Sequence, residues 1–373
     1  MTRPDRLSIV VAGGGTGGHL YPGISVAREL VKRLPTVRVT FAGTSRGIEA
    51  RAVPREGFEL DVIRSAGLKG KSVMSRIRGA SLLAPGLLDA WRIVSRRRPD
   101  LVIGVGGYSS GPVVLAAALR GVPTMVLEQN AVPGLTNRWL ARVVRAAAVA
   151  YDETLPFFHG RGFVTGNPVR AEFFDGEPAS LTRVEGEAGS SRVLVLGGSQ
   201  GAHAINVAMV EAAKELVRRD RRIDLVHQTG ERDLAWVQQS YEAAGIRARP
   251  AAFLDPVAGE VKAADLVIAR AGATTLAELA AAGKPAVLVP FAAATDDHQR
   301  KNADVVARAG GAVVILERDL TGESLGRAAA DLLEDRPRLG AMGRAMARFG
   351  RPDAAARIVD RALVLARAPA AGV

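Results

Sequence analysis

A chain of 373 residues, 48% of them hydrophobic, is long enough for two domains and at most three, each with a core of its own. The absence of cysteine excludes disulfides, thiolate nucleophiles and cysteine-bound zinc or iron–sulfur clusters. The net charge of +12 would suit nucleic acid, but only seven of the 50 basic residues are lysine, and aromatics make up just 5% of the chain; with few stacking platforms, the expected partner is an anionic small substrate or membrane surface and no nucleic acid.

The N-terminal Met1-Thr2-Arg3-Pro4-Asp5-Arg6 leads directly into a short strand without a signal-peptide pattern, and no run approaches the ~18 apolar residues of a membrane span, so a cytoplasmic protein is expected. The first strand, Ser8-Ile9-Val10-Val11-Ala12, ends in Gly13-Gly14-Gly15-Thr16-Gly17-Gly18-His19 and turns into a helix. Glycines permit positive φ and close backbone approach, and the helix that follows offers unpaired N–H groups and the positive end of its dipole, which together suit an anion. Such a turn by itself equally serves to pack a helix on a sheet.

Short β-branched runs then alternate with longer alanine-rich amphipathic stretches, the pattern of βαβ units and parallel sheets. Strands are expected near 7–12, 37–42, 60–63, 101–104, 124–127, 147–150 and 163–164, and again near 193–196, 223–227, 248–253, 266–268, 286–289 and 312–315. Both halves read as doubly wound α/β units. Between 67 and 100, Leu87, Leu88, Trp91 and Val94 have core spacing and are expected to be buried. Residues 73–83 mix Val73, Ile77, Leu82 and Leu83 with Arg76 and Arg78 and read as a surface patch suited to anionic lipid.

The strand near 101–104 feeds a second glycine turn, Gly106-Gly107-Tyr108-Ser109-Ser110-Gly111, which offers Tyr108 and two serines as donors or is simply a tight βα connection. Glu128-Gln129-Asn130 follows a wholly apolar strand, so three polar side chains emerge together at its carboxyl end. The first domain is expected to span 1–166 and the second 167–349, the stretch after Gly166-Asn167-Pro168-Val169 and up to Ser191 reading as a linker rich in Gly, Pro, Glu and Ser. The opening pattern then recurs as Arg192-Val193-Leu194-Val195-Leu196 followed by Gly197-Gly198-Ser199-Gln200-Gly201-Ala202-His203, in register from Ala12 on Leu196 to His19 on His203. Arg270-Ala271-Gly272-Ala273-Thr274-Thr275-Leu276-Ala277-Glu278 makes a further helix start; Glu278 suits the two hydroxyls of a ribose or, equally, complements the helix dipole. The helical pattern from 336 to 368 is interrupted by Gly350-Arg351-Pro352, and the segment 350–373 is expected to pack back on the first domain. Ligands of open α/β sheets bind outside the carboxyl ends of the strands, where all these turns fall.

Taken in order and spacing, Gly14-Gly15-Thr16-Gly17-Gly18-His19, Gly106-Gly107-Tyr108, Glu128-Gln129-Asn130, Gly166-Asn167-Pro168-Val169-Arg170, Gly197-Gly198-Ser199-Gln200-Gly201 and Ala271-Gly272-Ala273-Thr274-Thr275-Leu276-Ala277-Glu278 closely resemble the MurG family of bacterial peptidoglycan glycosyltransferases, over nearly the whole chain. The resemblance implies a GT-B fold of two Rossmann-like domains. It also implies transfer of N-acetylglucosamine from UDP-N-acetylglucosamine to lipid I, giving lipid II, at the cytoplasmic face of the membrane and without a cofactor. In this reading Thr16, Gly17 and Gly18 face substrate, with Tyr108 beside them, and Asn130 lies near the donor sugar. Arg170, Ser199 and Gln200 lie near the diphosphate, and Leu254 holds uracil through its backbone. Ala273, Thr274, Thr275, Leu276, Ala277 and Glu278 bind diphosphate and ribose, and Gln299 reads the sugar hydroxyls.

Inverting transfer needs a base for the acceptor hydroxyl and stabilisation of the departing UDP. His19 is the candidate base, since the positive potential at a helix N-terminus favours the neutral imidazole, although a histidine beside glycines also serves as a structural donor. Glu128 is the second candidate catalytic residue, and His203 is expected to cap and pack. No Asp-x-Asp turn and no pair of histidines at ligand spacing occurs, so no metal is expected. A nicotinamide enzyme should end its second strand in an acidic residue, where this chain has Phe41-Ala42-Gly43-Thr44. A non-catalytic sugar-nucleotide binder, or a transferase or epimerase for another UDP-sugar, shares the remaining features.

Overall fold

The computed structural model describes residues 7–65, 83–174, 191–197, 201–218, 223–294 and 297–367. Ser199, Gln200, residues 73–82 and the linker beyond 174 lie outside them. In chain order the elements are β1 (Ser8–Gly13), α1 (Gly17–Arg33), β2 (Arg38–Gly43), α2 (Glu49–Arg55), β3 (Glu59–Val62), α3 (Leu83–Arg97), β4 (Leu101–Gly106), α4 (Ser110–Leu119), β5 (Thr124–Glu128), α5 (Leu135–Leu140), β6 (Ala146–Val149) and β7 (Gly162–Val164). They continue with β8 (Ser191–Leu196), α6 (His203–Arg218), β9 (Ile223–Gln228), α7 (Leu234–Ala243), β10 (Ala248–Ala251), α8 (Val257–Ala263), β11 (Leu266–Ala269), α9 (Ala273–Ala281), β12 (Ala286–Leu288), α10 (His298–Arg308), β13 (Ala312–Val314), α11 (Gly322–Glu334), α12 (Arg336–Ala347) and α13 (Ala354–Arg367).

Two compact units result, one of Met1–Arg170 with Arg351–Val373 and one of Ala171–Gly350. The first holds a seven-stranded parallel sheet in the order β3-β2-β1-β4-β5-β6-β7, the second a six-stranded one in the order β10-β9-β8-β11-β12-β13. Each expected strand run is a strand, and both sheets are doubly wound with the chain reversing direction at β1/β4 and at β8/β11. Ile9 faces Val39 on one side and Leu101 on the other, and Val193 does the same with Leu225 and Leu266. Central parallel strands are covered on both faces, which is why these runs are apolar at every position.

The alternation of side chains along β1 separates two cores. Ile9 and Val11 point to the layer holding Leu20, Ile24 and Ala27 of α1 and Ile358, Val359 and Ala362 of α13, whereas Val10 and Ala12 point to Ala90, Ile93 and Val94 of α3 and Val113, Val114 and Ala117 of α4. The final helical stretch is broken as expected, α12 ending at Ala347 and α13 starting at Ala354, because Pro352 has no N–H to continue the ladder. One burial expectation is corrected. Val94 is buried and Leu87 packs against the core, but Leu88 is 57% and Trp91 42% exposed. Ala90, Ile93 and Val94 already form the stripe that meets the sheet, and positions 88 and 91 sit outside it; Trp91 instead carries the Arg120 guanidinium 4.8 Å above its ring.

Candidate active site

Crossovers leave in opposite directions on either side of β1/β4 and β8/β11, so each sheet opens at its carboxyl edge there, and the glycine turns occupy those openings. In the first unit the β1 turn and the β4 turn touch backbone to backbone: the Gly14 N–H donates to the Gly106 carbonyl at 3.3 Å. Side chains at Gly13 or Gly107 would collide with the opposite turn, and both residues have positive φ, 145° and 81°. Thr16 caps α1 in extended conformation without a side-chain bond, its carbonyl accepting from the His19 and Leu20 amides. Gly17, Gly18 and His19 therefore form the first turn of α1, half-buried behind an exposed Thr16.

A residue that composition and motif did not single out organises this turn. Glu49, the first residue of α2, is fully buried, and its carboxylate accepts from the Gly15 N–H at 2.7 Å, the Thr44 N–H at 2.9 Å and the Thr44 hydroxyl at 2.8 Å. Burial alone would push this carboxyl up, but the bonds from the Gly15 and Thr44 amides and the Thr44 hydroxyl outweigh it and hold it below its ordinary value. The glycine turn thus wraps an internal carboxylate, and the Gly15 amide is committed to it.

His19 lies over Gly106, where an added Cβ would fall 2.6 Å from its Nδ1. Its Nδ1 is 3.2 Å from Gln129 Oε1, and Gln129 Nε2 donates to the Val105 carbonyl at 3.0 Å. Glu128 and Asn130 have a different setting. The Glu128 carboxylate is buried and accepts from the Asn130 N–H, the Asn130 side chain, the Gly134 N–H and the Asn137 side chain, all within 3.1 Å. Four local donors tie this carboxylate into the 128–137 loop. Tyr108 is exposed, but Ser109 and Ser110 are turned inward and buried, so only Tyr108 of that trio faces outward. Arg170 packs its guanidinium 5.4 Å from the ring of Tyr21 on α1.

In the second unit Gly197 and Gly201 bracket the corresponding turn, and Gly201, at φ 72°, lies against the Thr229 carbonyl where no side chain fits. Gly272, in extended conformation, starts α9, so Ala273, Thr274 and Thr275 form its positive end and Ala277 and Glu278 follow half-buried on the next turn. Leu276 is different: its side chain is buried beside Leu279 and its N–H donates to the Gly272 carbonyl, which makes it a packing residue of the segment. The Leu254 N–H donates to Gln228 Oε1 at 3.0 Å, so its carbonyl is the group this position has to offer a base edge. Gln299 accepts from the Phe291 N–H at 3.0 Å, while Arg270 bonds the Val289 and Pro290 carbonyls and Glu317, which itself accepts from the Ala292 amide. The turn after β12 is thereby shaped from three sides. Among the described residues no three His, Asp or Glu side chains are grouped to hold a metal ion.

Behind this turn runs a buried polar chain. Asn206 Nδ2 donates to the Thr229 carbonyl and to Asp233, so its Oδ1 faces His227 Nε2 at 3.0 Å, and His227 Nδ1 meets the Tyr241 hydroxyl at 2.8 Å. His203 reaches Asp233 through Nδ1 at 2.8 Å. Burial pushes the His227 imidazole from its ordinary 6.5 down to about 3. The unfolded chain therefore binds a proton as pH falls through 6.5 while the folded chain does not, and stability present above 6.5 is lost progressively down to about 3. Between pH 6.5 and 5 the expected loss is about 1.4 kcal/mol per pH unit at most. Urea unfolding across that range should show a shallower slope in His227→Gln, although its stability at pH 7.5 is lower; parallel slopes would show that His227 does not titrate this way.

Two parallel sheets in the same strand order, each with a glycine turn at its reversal point, define the class: a two-domain Rossmann-like glycosyltransferase fold. Residues 9–149 match the glycosyltransferase family 28 N-terminal domain and residues 192–358 its C-terminal domain. The chain is 48% identical over 362 residues to a UDP-N-acetylglucosamine--N-acetylmuramyl-(pentapeptide) pyrophosphoryl-undecaprenol N-acetylglucosamine transferase of Anaeromyxobacter dehalogenans, covering 97% of this chain and 94% of that one. A protein of the same name from Geobacter sulfurreducens is 42% identical, with 97% and 99% covered. Among solved structures, Acinetobacter baumannii MurG superposes with a TM-score of 0.76 at 29% identity over 96% of this chain and 99% of that one. A Listeria monocytogenes structure titled as a putative UDP-N-acetylglucosamine 2-epimerase, at 16% identity and a TM-score of 0.69, shares the fold alone. The chain belongs to glycosyltransferase family 28, in the MurG group that these relatives define.

Proposed function

We propose that this protein transfers N-acetylglucosamine from UDP-N-acetylglucosamine to lipid I, the undecaprenyl-diphospho-N-acetylmuramyl-pentapeptide, and so makes lipid II for peptidoglycan. The observation that carries the reading is the 48% identity, over nearly the full length of both chains, to a relative named for that reaction. In the second unit the positive end of α9 at Ala273, Thr274 and Thr275 receives the donor diphosphate, with Ser199 and Gln200; Arg170 of the first unit is a further diphosphate ligand in this reading. Glu278 accepts from the ribose hydroxyls, the Leu254 carbonyl meets uracil, and Gln299 and Asn130 meet the sugar. Thr16, Gly17, Gly18 and Tyr108 receive the acceptor.

His19 takes the proton of the acceptor hydroxyl as its oxygen attacks the anomeric carbon from the face opposite UDP. The carbon–oxygen bond to the diphosphate breaks, UDP leaves with the electron pair, and the configuration inverts. Helix N-termini aimed at the diphosphate stabilise the charge that develops there. Incubation with radiolabelled UDP-N-acetylglucosamine and a lipid I analogue tests the reading: labelled lipid II is expected, and epimerised or hydrolysed donor without transfer would replace it with another activity of the same fold.

The acceptor is a lipid, and among the described residues no helix is long and apolar enough to cross a membrane. Peripheral attachment at the cytoplasmic face through residues 73–83 fits that requirement. The exposed Leu88 and Trp91, with Arg92 and Arg120 beside them, extend the same mixed apolar and basic character along α3. Binding to vesicles containing anionic phospholipid should weaken with salt and with Ile77→Asp or Arg76→Glu/Arg78→Glu; equal binding by these variants would remove 73–83 from the contact.

A further inference from the structure

We infer that Gln129 is a positioning residue for His19, holding the imidazole in the tautomer that carries its proton on Nδ1 and its lone pair on Nε2. The inference rests on the reading of His19 as base and adds the device that prepares it. Gln129 is 3% exposed and follows β5, next to β4 in the sheet. Its amide nitrogen donates to the Val105 carbonyl of β4 at 3.0 Å, which turns Oε1 toward the His19 ring, 3.2 Å from Nδ1. A flipped amide would set two oxygen acceptors against each other in a buried place, so the backbone of β4 decides which end of Gln129 meets the histidine. Oε1 can only accept; Nδ1 must therefore donate, and the neutral ring keeps its basic lone pair on Nε2. Free imidazole side chains favour the opposite tautomer, so this one needs a holder.

Gly106 supplies the second constraint. A Cβ there would lie 2.6 Å from Nδ1 and 2.9 Å from Cε1 of His19, and its φ of 99° is one that only glycine adopts without strain. The ring is thus seated against bare backbone on one side and tethered through Nδ1 on another.

The second glycine turn carries the other choice of partner. His203, in register with His19, uses the same Nδ1 but meets a carboxylate, Asp233, at 2.8 Å. A carboxylate orients a histidine and also stabilises its charged form; an amide orients it without lending charge. Gln129 therefore orients His19 without setting a negative charge beside it.

The test uses the full-length protein with nitrogen-15-labelled histidine and long-range proton–nitrogen correlation spectra, His19 being assigned by His19→Ala. Wild type is expected to show Nδ1 protonated and Nε2 unprotonated above the titration range. Gln129→Met should lose that pattern and lower kcat on the order of tenfold or more, with the KM for UDP-N-acetylglucosamine little changed. Gln129→Glu should restore the tautomer and move the acid limb of the kcat/KM profile to higher pH, a shift that a merely structural role does not produce. A wild-type His19 protonated on Nε2, an unchanged tautomer in Gln129→Met, or normal kcat in a Gln129→Met enzyme whose tautomer is lost would overturn the inference. Should Gln129→Met fail to fold, the wild-type spectrum and the Gln129→Glu profile still decide it. Because the spectra read the tautomer without turnover, failure of His19 as base, seen as normal kcat in His19→Ala, is told apart from failure of Gln129 as its holder.

Discussion

His19→Ala is expected to lower kcat for N-acetylglucosamine transfer by about two decades or more, with the KM for the UDP-sugar changed only a few-fold. A positioned base takes the acceptor proton as the new bond forms, so its removal acts on the transition state and leaves ground-state donor binding, assigned to the second unit, largely alone. The ring reaches this position because His19 occupies the first turn of α1, while the bare backbone of Gly106 leaves it room. Steady-state kinetics with purified enzyme check the expectation, with circular dichroism to confirm folding. Near-normal kcat would refute the base assignment.

The largest effect on stability is expected from Glu49→Ala. The substitution removes a fully buried carboxylate and leaves the half-buried Thr44 N–H and hydroxyl and the exposed Gly15 N–H without their acceptor. At roughly 1–3 kcal/mol for a fully buried donor left unsatisfied, and less for donors that water can reach, a loss of about 2 kcal/mol follows. Gly14 and Gly43 close around the same side chain, since an added Cβ would lie 2.6 Å from the Glu49 carboxyl carbon on the first and 2.6 Å from its Cγ on the second. Glu49→Gln keeps one acceptor oxygen and should fall between wild type and alanine. The pH dependence has a definite sign: the folded carboxyl titrates below its ordinary 4.5, so its contribution is complete above that pH and is lost as pH falls further. Urea unfolding at pH 7 and at pH 4 measures both; an alanine variant within about 1 kcal/mol of wild type would show that the turn holds its shape without the carboxylate.

Most of the architecture was legible because the signals are local. Runs such as Ile9-Val10-Val11 and Val193-Leu194-Val195 are apolar at every position because both sheet faces are covered, and glycines mark the turns where side chains would collide. Motif order was equally legible, and the family match agrees with it over residues 9–149 and 192–358. The burial of Leu88 and Trp91 was misread because helical spacing shows that apolar residues share a side without showing how wide a stripe the sheet can cover. Ser109 and Ser110 were read as donors for the same reason, their inward direction being set by how α4 starts against β4.

The placement of the two glycine turns at the ends of β1 and β8, and the match between them, are properties of short stretches of chain, where residue type dictates backbone conformation directly. The pairings of Glu49 and Gln129 are ones that the strand order creates, whereas the Glu128 carboxylate bonds within its own loop. Gly15 and Glu49 are separated by 34 residues, and His19 and Gln129 by 110. Motif spacing brought Gln129 and Glu128 to notice as polar residues after an apolar strand, but could not tell the residue that tethers a histidine from the one that ties down its own loop. That distinction depends on which carbonyl or amide lies within about 3 Å of each side chain, a distance set by the packing of neighbouring strands and not by position along the chain.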